Sequence, residues 1–314
     1  MKPIKALWVL ATSALLLSCE RRPLDIIATG LMINHTPDYS LPYEKPAFHP
    51  EHYRTNMYDS GTGDLIYKDF VPERGGMIRS IPGNYLCFLC NYDEGTLVLS
   101  GENSIKSFHI TGPRAPENVQ NMFAAFQDSL NTPADMKQDV MLLGDCFWAG
   151  KTITSVPPLS DSDETFVIDV ETTSVLKQGH VCLNNITGKE NIAVIDCFVS
   201  NLSAGINPVT MELDIENITE EFTIIPGDGP VEGYFLYFGV NNGKEPRFLY
   251  ALVTDTGGGR YLYIYELGAV DEEEGLNFII DSKMVIREPV PDGKGGYIPT
   301  VRDWEIEHTE IPLG

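Results

Sequence analysis

Positive charge is scarce in this chain. Lysine and arginine number 22 against 45 aspartates and glutamates, a formal charge of −23 over 314 residues. Nucleic acid and anionic bilayers repel such a body, so neither is an expected partner through basic patches. Long apolar runs are equally scarce. Ala6 to Leu17 is roughly a dozen residues, too short for a transmembrane helix, and no later run reaches the ~18 residues that a spanning helix needs. Cysteine is sparse and, after Cys19, odd in number: Cys87, Cys90, Cys146, Cys182 and Cys197. That excludes a closed disulfide framework. Cys182 and Cys197 flank a predicted hairpin around Lys189-Glu190 and are the one pair its turn would let bridge. The alternative is five small apolar side chains packed in strands.

Catalytic constellations are missing as well. There is no Gly-x-Ser-x-Gly elbow, and the six histidines have no paired nucleophile. "HPEH" (His49–His52) and "CFLC" (Cys87–Cys90) together have the look of a zinc deaminase set, but the cysteines sit in a strand pattern. There, i and i+3 point to opposite faces and cannot share a metal. "DSDET" at Asp161 opens like a calcium loop, yet Phe166 and Thr172 stand where glycine and glutamate are required. "GDGPVEG" and "TGGGR" lack the strand–turn–helix setting of a phosphate loop. The sequence therefore predicts no enzyme, no cofactor and no metal.

What is present begins at the amino end. Two lysines within Met1–Lys5, the apolar run, and then Leu16-Leu17-Ser18-Cys19 form a secretory signal ending in a pattern that resembles the lipobox of bacterial lipoproteins. Ser18 is small enough for a peptidase to approach, and the Cys19 thiol is the atom that takes a diacylglyceryl group. Residues 1–18 are then a removed signal peptide and Cys19 is the lipid attachment site. Two or more acyl chains hold a protein at a membrane firmly, at about 0.8 kcal/mol per buried CH₂.

Beyond Cys19 the dominant pattern is β. Short runs such as Gly83–Tyr92, Thr165–Glu171, Asn191–Ser200, Val209–Glu216, Gly233–Val240, Arg247–Asp255 and Arg260–Leu267 are rich in β-branched and aromatic residues. Turn signals every ten residues or so bound them, as in an antiparallel sandwich. Arg247–Asp255 and Arg260–Leu267 make a hairpin, with Tyr261, Tyr263 and Tyr265 on one face and Leu262, Ile264 and Glu266 on the other. One helix is predicted in "PENVQNMFAAFQDSL", where Val119, Met122, Phe123 and Phe126 form an apolar stripe between Pro116 and Pro133. It is expected to pack on the first domain. "SVPPLSDSDE" interrupts the pattern, so domains are expected at 19–157 and 158–314.

Three stretches, "CERRPL" at Cys19, "SIPGNYLCFLCNYDE" at Ser80 and "DGKGGYIPTVRDWEIEHTEIPL" at Asp292, resemble the fimbrillin-like lipoproteins of Bacteroidales in order and spacing. The resemblance implies an all-β fold of two tandem transthyretin-like antiparallel β-sandwich domains, with the helix in the first. It implies a minor, anchoring or accessory fimbrial subunit, lipid-anchored at the outer membrane and surface-exposed, that meets other subunits by strand exchange. Val301–Leu313 is the candidate inserting strand, with Trp304 and Ile306 on one face; the alternative is the domain's own last strand. In such pili, stalk subunits are matured by cleavage after an arginine. Arg74 in "PERGG" is one such position, or simply an exposed loop arginine. A second functional reading is a glycan-binding surface lipoprotein that presents Tyr261, Tyr263 or Trp148 on a flat patch.

Overall fold

The computed structural model describes residues 29–43, 49–91, 97–158, 165–241, 246–267, 275–291 and 307–310. The first strands are β1 (Thr29–Pro37), β2 (His52–Asp59), β3 (Leu65–Pro72), β4 (Gly75–Ser80), β5 (Gly83–Asn91), β6 (Val98–Ser100) and β7 (His109–Thr111). The helix α1 (Glu117–Ser129), β8 (Val140–Met141), β9 (Trp148–Val156), β10 (Phe166–Ser174), β11 (Lys177–Asn184), β12 (Ile192–Ser203) and β13 (Gly205–Ile206) come next. The chain continues through β14 (Asn217–Ile224), β15 (Val231–Tyr237), β16 (Arg247–Asp255), β17 (Arg260–Leu267), β18 (Asn277–Asp281) and β19 (Glu307–Glu310). The protein is an all-β sandwich fold, as the turn-punctuated pattern predicts.

Seven strands form one sheet in the order β3-β2-β5-β9-β10-β1-β4. Alternation drives its curvature. Leu31 and Ile33 of β1 and Ile168 and Val170 of β10 point the same way, and they meet Tyr53 and Met57 of β2 and Cys87 and Leu89 of β5 in a single core. The sheet therefore curls until its two arms face each other. A second sandwich sets the three-stranded sheet β15-β11-β18 against the six-stranded sheet β19-β17-β16-β12-β14-β8. Val181, Phe235 and Ile280 on one side pack against Cys197, Ala251 and Tyr265 on the other. Phe88, Phe108 and Phe147 join Ile206, Val209 and Phe238 in a further cluster that ties the halves together, roofed by β13-β7-β6.

The stretch around Pro157 and Pro158 links β9 to β10. β10, beyond it, joins the first sheet by pairing with β1, whereas β8, before it, pairs with β14. Several particulars differ from expectation. The ladders β1/β10, β11/β18, β14/β8 and β17/β19 run parallel, because the chain crosses between sheets rather than only turning back in hairpins. α1 does not pack on the first sheet. Phe123 and Phe126 bury against Phe198, Tyr250, Leu252, Leu262 and Ile264, on the face of the six-stranded sheet that points away from its sandwich core. The Val209–Glu216 run is a loop pinned by the Asn207 carboxamide, with Met211 left-handed at φ 64°. β11 and β12 lie in opposite sheets instead of forming a hairpin. Cys182 sits on an outward face and Cys197 in the core, both as free thiols.

The β16–β17 hairpin is as predicted. Tyr263 and Tyr265 enter the sandwich core while Leu262 and Ile264 face α1. Its turn is organised by the buried Asp255, whose carboxylate accepts the Gly257 and Gly259 N–H groups at 2.8 and 2.7 Å and the Tyr261 hydroxyl at 3.2 Å.

Candidate strand-accepting site

β3 and β4 are the two end strands of the seven-stranded sheet, yet they are consecutive in the chain and joined only by Glu73 and Arg74. Among the described residues, β3 has a ladder with β2 alone and β4 with β1 alone. The curled sheet thus closes at one turn and leaves two facing edges without a mutual ladder. Unpaired edges are what an incoming strand needs, and most folds hide them. Apolar side chains border this pair: Ile66 and Phe70 on β3 and Met77 on β4 are about half exposed, at 47%, 55% and 53%. Among the described residues, loop residues cover the start of β3, where the Asn103 carbonyl accepts the Leu65 N–H at 2.9 Å and Glu102 pairs with Lys68 and Arg54.

The turn itself is tightly held. Gly75 has φ +91°, and a Cβ there would lie 1.9 Å from the Ile33 carbonyl oxygen. The Arg74 carbonyl accepts the His35 N–H at 3.2 Å. Behind it sits a polar network. His35 Nδ1 donates to the Glu73 carbonyl, and its Nε2 accepts from the Thr172 hydroxyl at 2.8 Å. Tyr53 donates to the Tyr39 hydroxyl and Tyr39 to the Glu73 carboxylate, both at 3.1 Å. Burial holds the His35 pKa below its usual value, so the ring is the neutral tautomer that this pattern requires. Burial also raises the Tyr39 phenol, which keeps it a donor. Arg74 is exposed, but its backbone is fixed in a two-residue turn that a protease cannot extend without local unfolding.

Cys19, Trp304 and Ile306 lie outside the described residues. The strand that follows Ile306, β19, adds in parallel to β17 as the edge of the six-stranded sheet, with Tyr263 opposite Glu307 and Glu266 opposite Glu310. Trp148, Tyr263 and the half-buried Tyr261 do not form one exposed patch, as the glycan reading would need. Trp148 is in the first core, Tyr263 is buried with its hydroxyl bonded to the Val285 backbone, and Tyr261 bonds Asp255. Cys87 and Cys90 do point to opposite faces, one into each of two cores, and burial pushes both thiols up to about 12. Among the described residues no group of His, Cys, Asp and Glu could hold a metal ion. The β3 and β4 edges escaped the sequence reading; alternation at Ile66, Lys68 and Phe70 and the glycine pair after Arg74 are the signals that mark them.

No known family and no curated protein matches the chain. Solved structures do. A candidate adhesin from Bacteroides ovatus ATCC 8483 superposes with a TM-score of 0.57 over 87% of this chain and 98% of that one, at 17% identity. The fimbrial anchor protein Mfa2 from Porphyromonas gingivalis gives a TM-score of 0.45 at 11% identity, covering 71% of this chain and 77% of that one. The fold is therefore shared with a candidate adhesin of Bacteroidales, the kind of protein that the resemblance to fimbrillin-like lipoproteins implies.

Proposed function

We propose that this protein is a minor, anchoring or accessory subunit of a surface fimbrium, held to the outer membrane by acyl chains on Cys19 and facing outward. The observation that carries the reading is the pair of unladdered edges on β3 and β4, bordered by Ile66, Phe70 and Met77. A strand from another subunit that enters there gains backbone hydrogen bonds from both edges and apolar contacts from both flanks. The fold shared with a candidate adhesin, and the lipobox-like Leu16–Cys19, support the same reading. The tight Arg74 turn favours an uncut subunit that stays at the base over a processed stalk polymer. The test is metabolic labelling with palmitate combined with gene deletion. The reading expects label in the wild-type chain, none in Cys19→Ser, and altered fimbriae in the deletion strain. Equal labelling of both chains, or unchanged fimbriae, contradicts it.

A further inference from the structure

The solvent faces of β3 and β4 carry the same pattern. On β3, Ile66, Lys68 and Phe70 alternate outward. On β4, Met77 and Arg79 do so, and the exposed Ile81 continues the alternation just past its end. Each edge therefore reads apolar, basic, apolar. The two patterns also match in position. Lys68 lies five residues before Glu73 and Arg79 five after Arg74, while Phe70 and Met77 each lie three residues from the same turn. Two consecutive strands thus bring like side chains to corresponding levels on either side of the opening.

Paired basic positions stand out in a chain whose acids outnumber its bases 45 to 22. The acids of the same segment are turned to other partners. The Asp69 carboxylate accepts the Tyr67 hydroxyl at 2.6 Å, and the Glu73 carboxylate accepts the Tyr39 hydroxyl at 3.1 Å. Lys68 shares the Glu102 carboxylate with Arg54. Arg79 is exposed, and among the described residues it makes no ion pair.

Residues directly opposite on neighbouring strands interact: apolar pairs and opposite charges stabilise, and like charges repel. The strand complementary to both edges is therefore apolar, acidic and apolar at alternate positions. A second copy of β3 or β4 is the wrong partner. In the register that matches its apolar residues, it sets Lys68 or Arg79 against another cation. We infer, resting on the proposed strand uptake at β3 and β4, that the incoming strand belongs to another protein and carries an Asp or Glu flanked at i−2 and i+2 by apolar residues. The carboxylate lies between Lys68 and Arg79. Its apolar neighbours meet Ile66 and Ile81 on one side and Phe70 and Met77 on the other. The basic pair then selects which strand enters, where backbone hydrogen bonds alone would take any.

Fluorescence anisotropy on the full chain tests this with three labelled peptides: Thr-Val-Thr-Glu-Thr-Val-Thr, and the same sequence with Gln or Lys in place of Glu. The Glu peptide should bind about tenfold more tightly than the Lys peptide, with the Gln peptide between them. The gap should narrow in about 1 M salt. Arg79→Glu, at an exposed position, should weaken the Glu peptide and tighten the Lys peptide. Equal binding of all three peptides overturns the charge rule alone. So does an unchanged order of affinities in Arg79→Glu with the circular dichroism spectrum intact. No binding of any peptide overturns both the charge rule and strand uptake at β3 and β4.

Discussion

Gly75 and Glu220 are the residues at which single atoms carry most of the account. Gly75 is left-handed and its missing Cβ lets β4 approach the Ile33 carbonyl, so Gly75→Ala meets both a steric and a conformational barrier. The expected loss is about 2–4 kcal/mol in chemical denaturation. Trypsin, which should leave the native chain whole at Arg74, should cut there in the variant. Glu220 is buried on β14. One carboxylate oxygen accepts the Leu143 N–H at 2.6 Å, and the other has no hydrogen-bond partner among the described residues. Burial raises its pKa well above the ordinary 4.5. The folded state then holds a proton that the unfolded chain releases above that value, so this residue's contribution is complete below about pH 4.5 and falls as pH rises. Glu220→Gln should raise the denaturation midpoint at pH 7 and leave it nearly unchanged at pH 4. His35 acts in the opposite sense. Its depressed pKa means that the unfolded chain takes up a proton first, so stability falls as pH drops below about 6.5. The His35→Gln variant should lose that acid-side slope in titrated thermal melts.

At the scale of elements, α1 shows what sequence pattern can and cannot give. Its apolar stripe and its proline borders are legible, because helical periodicity is a property of neighbouring residues. Its destination is not, because both sheets offer apolar faces and the choice depends on Phe198, Tyr250 and Leu262, far along the chain. The Phe123 ring stacks on Phe198 at 5.4 Å and meets Tyr250 edge-on at 5.2 Å. Phe123→Ala should therefore cost about 3–5 kcal/mol. It should also release the end of β8 in hydrogen exchange while leaving the curled sheet protected. The hairpin β16–β17 was readable in full, since a glycine turn between two alternating arms is a local signal. The loop at Val209–Glu216 was not, because its strand-like composition is overridden by the Asn207 cap. The β11–β12 connection misled for a related reason: a short link between two strands fits a hairpin and a crossing between sheets equally well. The candidate edges on β3 and β4 were hidden because an edge is defined by which strands fail to pair, and the sequence does not record that.

The whole molecule combines a curled seven-stranded sheet with a second sandwich, joined by a shared aromatic core and surrounded by strong negative charge. Such charge keeps copies apart in solution, so assembly requires a specific edge rather than general adhesiveness. The β3–β4 opening supplies one. It sits behind a turn held by His35, Tyr39 and Tyr53, which fixes both edges in place before a partner arrives. The most direct measurement places a photoreactive amino acid at Met77 in cells that carry fimbriae, with a control probe at the more exposed Ile225, which follows β14 in the second sandwich. The account predicts that irradiation joins the Met77 probe, and not the Ile225 probe, to a fimbrial subunit identified by mass spectrometry. Recovery of the Met77 chain only as a free monomer, or equal capture from both positions, would contradict it.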